Sequence, residues 1–128
     1  MTPASARARP KHLNLSQIRL PLPGIISIMH RISGAALFLA LPFLLCLLQQ
    51  SLEAPDTYVR FRGTLEHPLV KLILIGLLWG FLHHFFAGIR YLLLDMHVGT
   101  DLPRARSSST VVLVVSIALT LVLGVWLW

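Results

Sequence analysis

The side chains best suited to chemistry lie inside two apolar segments, SIMHRISG at residues 27–34 and HHFFAGIRYLLLD at residues 83–95. A charged side chain in membrane hydrocarbon costs about 3 kcal/mol or more, so it usually faces a partner, a cofactor or water. Four polar or small residues of the first segment recur at helical spacing: Ser27, His30, Arg31 and Gly34. Residues three and four apart share one face of a helix, so this face is a candidate binding surface.

The second segment presents a histidine within a stripe of glycines. The stripe consists of residues at successive i+4 positions: Gly76, Gly80, His84 and Gly88. Such a groove accepts either a packed helix or a flat macrocycle, and both interpretations stay open here. His83 is rotated about 100° from His84. It shares its face with Trp79, so we expect His83 to pack against a neighbouring helix.

The residue types favour axial ligation of a b-type haem by His84 over zinc binding. Haem needs an axial nitrogen, an apolar slot and cations for its propionates, and His30 and Arg31 lie where they could face those propionates. Zinc requires three or four ligands close together, whereas only three histidines lie at membrane depth: His30, His83 and His84. One firm ligand implies a second ligand from another chain. A chain-internal pair of His30 and His84 is the weaker alternative, because a rise of about 1.5 Å per residue places them at depths that differ by more than a turn.

Ser27 and Arg31 also fit a quinone site. A quinone needs hydrogen-bond donors to its carbonyl oxygens, and a hydroxyl and a guanidinium on one helix face supply them, with the apolar Ile28 beside the ring. Asp95 lies at the same level, where it could balance Arg31 or pass protons toward the quinone. Plainer roles stay open: Ser27 bonded back to its own helix, and Asp95 as a solvated carboxylate at a helix end.

The elements that must position these residues follow from hydropathy. The 128-residue chain is 55% hydrophobic and 12% charged, with a mean hydropathy of +0.75, which indicates an all-α membrane protein. About 20 apolar residues cross a bilayer, and three runs approach or exceed that length. We predict a cytoplasmic N-terminal segment at residues 1–24 and a three-helix transmembrane domain at residues 25–128. The predicted spans cover about residues 25–48, 69–94 and 111–128.

The basic residues set the expected orientation. Lys and Arg total 11 against five Asp and Glu, and they are scattered between apolar runs, so we expect no nucleic-acid partner. They concentrate before the first span and around the second loop, which predicts a cytoplasmic N-terminus and a periplasmic C-terminus. The sole cysteine, Cys46, excludes an internal disulfide. We interpret the basic N-terminus as uncleaved and expect a multi-pass protein of a bacterial inner membrane.

Two stretches, RPKHLNLSQIRLPLPGIISIMHRISG and HHFFAGIRYLLLD, together resemble the larger membrane-anchor subunit, the cytochrome b subunit, of bacterial succinate dehydrogenase, or respiratory complex II. The pattern S-x-x-H-R-x-[ST]-G lies on the first span, and H-x-x-x-G-I-R, with an Asp five residues on, lies on the second. The resemblance implies three transmembrane helices that form half of a heterodimeric anchor bundle. It also implies three partners: a second membrane-anchor subunit, an iron-sulfur subunit and a flavoprotein subunit.

By the same resemblance, the chain is not catalytic alone but passes electrons from the iron-sulfur subunit to ubiquinone. His84 would be one axial ligand of a haem b that is shared with the second anchor subunit. The remaining implied roles are haem propionate contacts for His30 and Arg31, quinone binding for Ser27, Ile28 and Arg31, and a proton route through Asp95.

Two alternatives remain at this stage. The anchor of a quinol:fumarate reductase would share these features, with the reaction reversed. A haem-free membrane scaffold or transporter subunit would use an ion pair between Arg31 and Asp95 for assembly alone.

Overall fold

Four helices account for most of the described chain. The computed structural model describes residues 19–128, and its elements are α1 (Leu22–Leu52), α2 (Pro55–Glu66), α3 (Pro68–Asp95) and α4 (Leu102–Leu127). Three of them, α1, α3 and α4, are long and apolar enough to cross a membrane. The predicted all-α membrane architecture with three spans is confirmed. Most of the predicted cytoplasmic segment, residues 1–18, lies outside the described residues.

Two spanning helices begin before the apolar runs that predicted them. α1 starts at Leu22 because Pro23 stands in the first turn, where a helix has no hydrogen bond for a proline to break. α4 starts at Leu102 rather than near Val111, so residues 102–110, predicted as loop, are helical. Hydroxyls in this stretch donate to carbonyls three or four residues back. A helix that begins outside the hydrocarbon needs no apolar residues there.

The loop after α1 contains a short helix where the sequence suggested a plain connector. α2 begins with Pro55 at its first position, and the Thr57 hydroxyl accepts a hydrogen bond from the Ala54 N–H at 3.0 Å. The Asp56–Arg60 pair of α2, at 3.3 Å, is exposed and adds little stability. α2 packs against α1 and α3, on the side of the membrane opposite the α3–α4 turn.

The core lies where the three spanning helices meet. Each helix contributes one buried apolar residue to it: Ile26, Ala87 and Val112. α4 turns a face of small polar residues inward, and the hydroxyls of Ser109, Ser116 and Thr120 donate to carbonyls of α4 itself at 2.7 to 3.0 Å. Small residues let helix backbones approach closely, and bonding back to the helix satisfies the hydroxyls away from water.

The turn between α3 and α4 contains a histidine in a strained conformation. His97 has a φ of 62°, in the left-handed region that is costly for residues with a Cβ. Two hydrogen bonds of 2.9 Å close the end of α3, from the His97 N–H to the Leu94 carbonyl and from the Val98 N–H to the Leu93 carbonyl. Glycine is the usual left-handed residue in this helix-ending pattern.

Replacing His97 with glycine is expected to raise the free energy of unfolding by about 1 kcal/mol, because glycine adopts the left-handed conformation without a Cβ clash. Met96→Gly is the control. Met96 has a φ of −80°, which suits any residue, so glycine there only adds freedom to the unfolded chain and should lower stability. Thermal unfolding of the purified protein in detergent compares the two. Equal losses in both variants would contradict the strain argument.

Candidate functional site

His84 is held against α1 by a hydrogen bond to the backbone of that helix. Its Nδ1 lies 3.0 Å from the His30 carbonyl oxygen, and because a carbonyl only accepts, Nδ1 carries the ring proton and donates it. A neutral imidazole has one ring proton, so Nε2 keeps a free lone pair. Metal-binding histidines commonly have this arrangement, in which one ring nitrogen donates to a carbonyl or carboxylate and the other binds the metal.

Ser33 shares the acceptor of this bond, and Gly34 makes room for the imidazole. The Ser33 hydroxyl donates to the same His30 carbonyl at 2.9 Å and lies 3.3 Å from His84 Nδ1. A Cβ at position 34 would lie 2.8 Å from Cε1 of His84 and 3.2 Å from its Nδ1. Glycine therefore allows the imidazole to approach the α1 backbone. The spacing placed Gly34 on the polar face of α1, but it gave no sign that His84 would contact it.

His30 stacks on His84 and so lies at the same depth. The two ring centroids are 4.1 Å apart and the ring planes differ by 8°. The prediction that their depths differ by more than a turn is wrong, because α1 begins at Leu22, which puts His30 about 4.5 Å further along its helix than the predicted span did. Rings stacked face to face cannot bind one iron atom from opposite sides. This geometry therefore does not fit the alternative of a chain-internal axial pair.

The glycine stripe of α3 packs partly against α1. A Cβ at Gly80 would lie 4.0 Å from the Ser33 Cβ, and a Cβ at Gly88 would lie 3.9 Å from His30 Nε2. Of the two interpretations left open by the sequence, helix packing therefore holds at these two positions. A Cβ at Gly76 would meet nothing within 4 Å, so that end of the stripe is open.

His83 is enclosed within the bundle. It is fully buried, and its ring stacks on Trp79 with the centroids 5.4 Å apart. His84 is only partly buried. His83 therefore packs inside the bundle, as expected. Of the two imidazoles, only that of His84 can be approached by a ligand outside the bundle.

The other predicted site residues lie near the outer surface of α1 and at the end of α3. Arg31 and Ile28 are exposed, Ser27 is half-buried, and Asp95 is exposed at the last position of α3. Within residues 19–128 the ion pairs are Asp56–Arg60 and Asp101–Arg104. The Arg31–Asp95 pair that the haem-free alternative requires is therefore absent from this part of the chain.

Arg90, the arginine of the H-x-x-x-G-I-R pattern, is buried between α3 and α4. Its Nε donates to the Ser108 hydroxyl at 3.0 Å and its Nη2 donates to the Ala105 carbonyl at 3.3 Å. These bonds tie the two helices together. The available signal was the seven-residue spacing to His83, which places Arg90 on the same inward face.

This arrangement offers a metal one ligand, the imidazole of His84. Among the described residues, no three His, Cys, Asp or Glu side chains converge as a metal site. A metal whose other positions are filled by a macrocycle needs only axial ligands from protein. His84, with its free Nε2 and its fixed ring, suits that kind of group.

The chain matches the family described as succinate dehydrogenase/fumarate reductase transmembrane subunit over residues 5–123, which is nearly its whole length. The protein belongs to this family. Its S-x-x-H-R-x-[ST]-G and H-x-x-x-G-I-R patterns both lie within the matched region, on the two helices that form the His30–His84 contact.

Relatives of this transmembrane subunit are similar along most of their length. The succinate dehydrogenase cytochrome b556 subunit of Coxiella burnetii is 36% identical over 121 residues, which is 94% of this chain and 97% of the relative. The proteins of the same name from Paracoccus denitrificans and Rickettsia felis are 32% and 31% identical, covering 87% and 91% of this chain and 85% and 91% of the relatives. The interpretation of the chain as a succinate dehydrogenase cytochrome b membrane anchor is confirmed.

Gly34→Ala in this anchor subunit is expected to lower the free energy of unfolding by about 1–3 kcal/mol, because the added Cβ overlaps His84 in a packed contact. Gly124→Ala is the matched control, since a Cβ there meets nothing within 4 Å; alanine in an open helix position should be neutral or stabilise by up to about 1 kcal/mol. Thermal unfolding of the purified complex tests both. Similar behaviour of the two variants would show that His84 does not need the space at position 34.

Proposed function

We propose that this chain binds one haem b through Nε2 of His84 and takes the second axial ligand from the other anchor subunit. The hydrogen bond from His84 Nδ1 to the His30 carbonyl, at 3.0 Å, carries the proposal, because it leaves Nε2 unprotonated. The b556 in the names of the relatives agrees with a b-type haem. When bound, the haem supplies a one-electron carrier within the membrane.

His30 and Arg31 are proposed to face the haem propionates. His30 lies against the His84 ring, with a centroid distance of 4.1 Å, so its imidazole is close to any group that His84 binds. Arg31 is the next residue and is exposed, without a carboxylate partner among residues 19–128. A guanidinium forms strong charge-assisted hydrogen bonds with carboxylates, which propionates supply.

Ser27, Ile28 and Arg31 are proposed to bind ubiquinone. Ser27 and Arg31 are four residues apart and so share a face of α1. Ile28 is 44% exposed and offers an apolar surface for the quinone ring. Asp95, exposed at the end of α3, is proposed to belong to the route by which protons reach the reduced quinone. The chain would thus pass electrons from the iron-sulfur subunit to ubiquinone.

The assembly proposed around this anchor comprises a second membrane-anchor subunit, an iron-sulfur subunit and a flavoprotein subunit, in a bacterial inner membrane. Succinate oxidation belongs to those partners, and this chain has no catalytic role alone. The relatives named here are all succinate dehydrogenase subunits, which favours succinate oxidation over fumarate reduction. The positive charge around the α3–α4 turn favours placing that turn and the N-terminus in the cytoplasm.

His84→Leu is expected to abolish the b-type α band in dithionite-reduced minus air-oxidised spectra of the purified complex, because leucine offers no axial nitrogen. His83→Leu is the matched control: the adjacent histidine is enclosed in the bundle, so the band should persist. Co-purification of all subunits checks assembly in both variants. A wild-type complex that is fully assembled but has no haem band would refute the proposal.

Ser27→Ala is expected to raise the KM for ubiquinone by about three- to tenfold, which corresponds to one lost hydrogen bond. Succinate oxidation with a soluble dye as acceptor should be unchanged, because the dye does not need the quinone site. Ser51→Ala is the control, since the Ser51 hydroxyl donates to its own helix at the opposite end of α1. An unchanged KM in Ser27→Ala would remove this hydroxyl from the quinone site.

A further inference from the structure

Arg90 carries a buried positive charge that no carboxylate of the chain neutralises. Arg90 is only 5% exposed, and its side chain donates hydrogen bonds to the Ser108 hydroxyl and the Ala105 carbonyl. Residues 1–18 contain no Asp or Glu, and among residues 19–128 no carboxylate lies within ion-pairing distance of Arg90. Buried charges in proteins are normally paired, and a guanidinium keeps its charge. Within the chain the guanidinium has only these two hydrogen bonds and the face of the Tyr91 ring, whose centroid is 5.4 Å away, so an anion from outside the chain is the counter-charge to look for.

A groove of about 450 Å³ between α3 and α4 gives such an anion access to Arg90. One end of the groove is polar and lies next to the α3–α4 turn; it is formed by Arg90, Arg104, Ser107 and Ser108. Leu93 adds an apolar side chain near the turn, and the part that runs toward the membrane interior is an apolar trough lined by Phe86, Ile89, Val111, Val112 and Val115. The groove is thus cationic at one end and apolar along its length.

The position of the cations matches the boundary between lipid headgroups and acyl chains. Arg90 lies five residues before the end of α3, about 7.5 Å along the helix. Arg104 has a 3.6 Å contact with Asp101, but both side chains are exposed, so this pair is weak and leaves Arg104 able to bind another anion. Asp95 and Asp101 do not line the groove.

We propose that this groove binds an anionic phospholipid, with the phosphate between Arg90 and Arg104 and an acyl chain along the apolar trough. Basic pockets between transmembrane helices at the cytoplasmic side recognise anionic headgroups in this way. A free inorganic anion would leave the trough empty, and an apolar helix of a partner would leave the charge of Arg90 unpaired. An anionic lipid meets both requirements.

The test uses the whole purified complex, delipidated in detergent and titrated with phosphatidylglycerol, with phosphatidylcholine and inorganic phosphate as comparisons. Native mass spectrometry measures lipid retention, and thermal unfolding measures stabilisation. Arg104→Gln is expected to weaken phosphatidylglycerol binding about fivefold, the contribution of one cation near an anionic surface. Arg106→Gln, which changes an exposed cation outside the groove lining, should leave binding unchanged.

A second pair of variants tests the apolar trough without touching a charge. Val111 and Val114 are similarly exposed on α4, but only Val111 lines the groove. Val111→Trp should abolish lipid retention while Val114→Trp retains it. The proposal is overturned if the two variants of either pair bind phosphatidylglycerol equally. It is also overturned if phosphatidylcholine or inorganic phosphate stabilises the complex as well as phosphatidylglycerol does. Release of a subunit by Val111→Trp would overturn it too, because the groove would then be a protein interface.

Discussion

The hydrogen bond between the His84 imidazole and the His30 carbonyl joins the two helices on which the site is built. In a membrane interior no water is available, so hydrogen bonds within the protein stabilise its polar groups. The His30 carbonyl oxygen is shared, because the Ser33 hydroxyl donates to it at 2.9 Å and His84 Nδ1 lies 3.0 Å from it. Glycine at position 34, one turn later, leaves the space in which the imidazole reaches this carbonyl. The depth, tautomer and ring orientation of His84 all follow from this one contact.

The same requirement explains how the inward hydroxyls of α4 and the guanidinium of Arg90 are accommodated. The inward hydroxyls of α4 donate hydrogen bonds to carbonyls of the same helix, as seen for Ser109, Ser116 and Thr120. This polar face can therefore lie inward without partners on another helix. Arg90 is different because its donors cross from α3 to α4. Burying the hydroxyls therefore costs the bundle little free energy. The guanidinium of Arg90, in contrast, joins two helices and adds a buried positive charge.

The sequence predicted what depends on periodicity and length, and it missed what depends on where helices end and which faces meet. The three spans followed from apolar runs, and the glycine stripe is the basis on which His84 rather than His83 is proposed as the ligand. Hydropathy, however, reports residence in lipid and not helicity, so α2 and residues 102–110 were taken for loops. That error in the helix ends also separated His30 from His84, whose rings in fact stack. The spacing to His83 put Arg90 on the packing face of α3, but its hydrogen-bond partners on α4 could not be read from the sequence.

The early start of α4 also affects how the anchor fits its bilayer. With 26 residues, α4 is about 39 Å long, and the 31 residues of α1 extend about 46 Å, whereas the hydrocarbon layer is about 30 Å thick. Both helices must therefore tilt or project into the headgroup layer, and the hydroxyl-rich first turns of α4 are suited to projecting. Excess helix of this kind accommodates acyl chains of different lengths by small changes of tilt. Because the His30–His84 contact joins α1 directly to α3, a tilt of the bundle as one body moves both residues together.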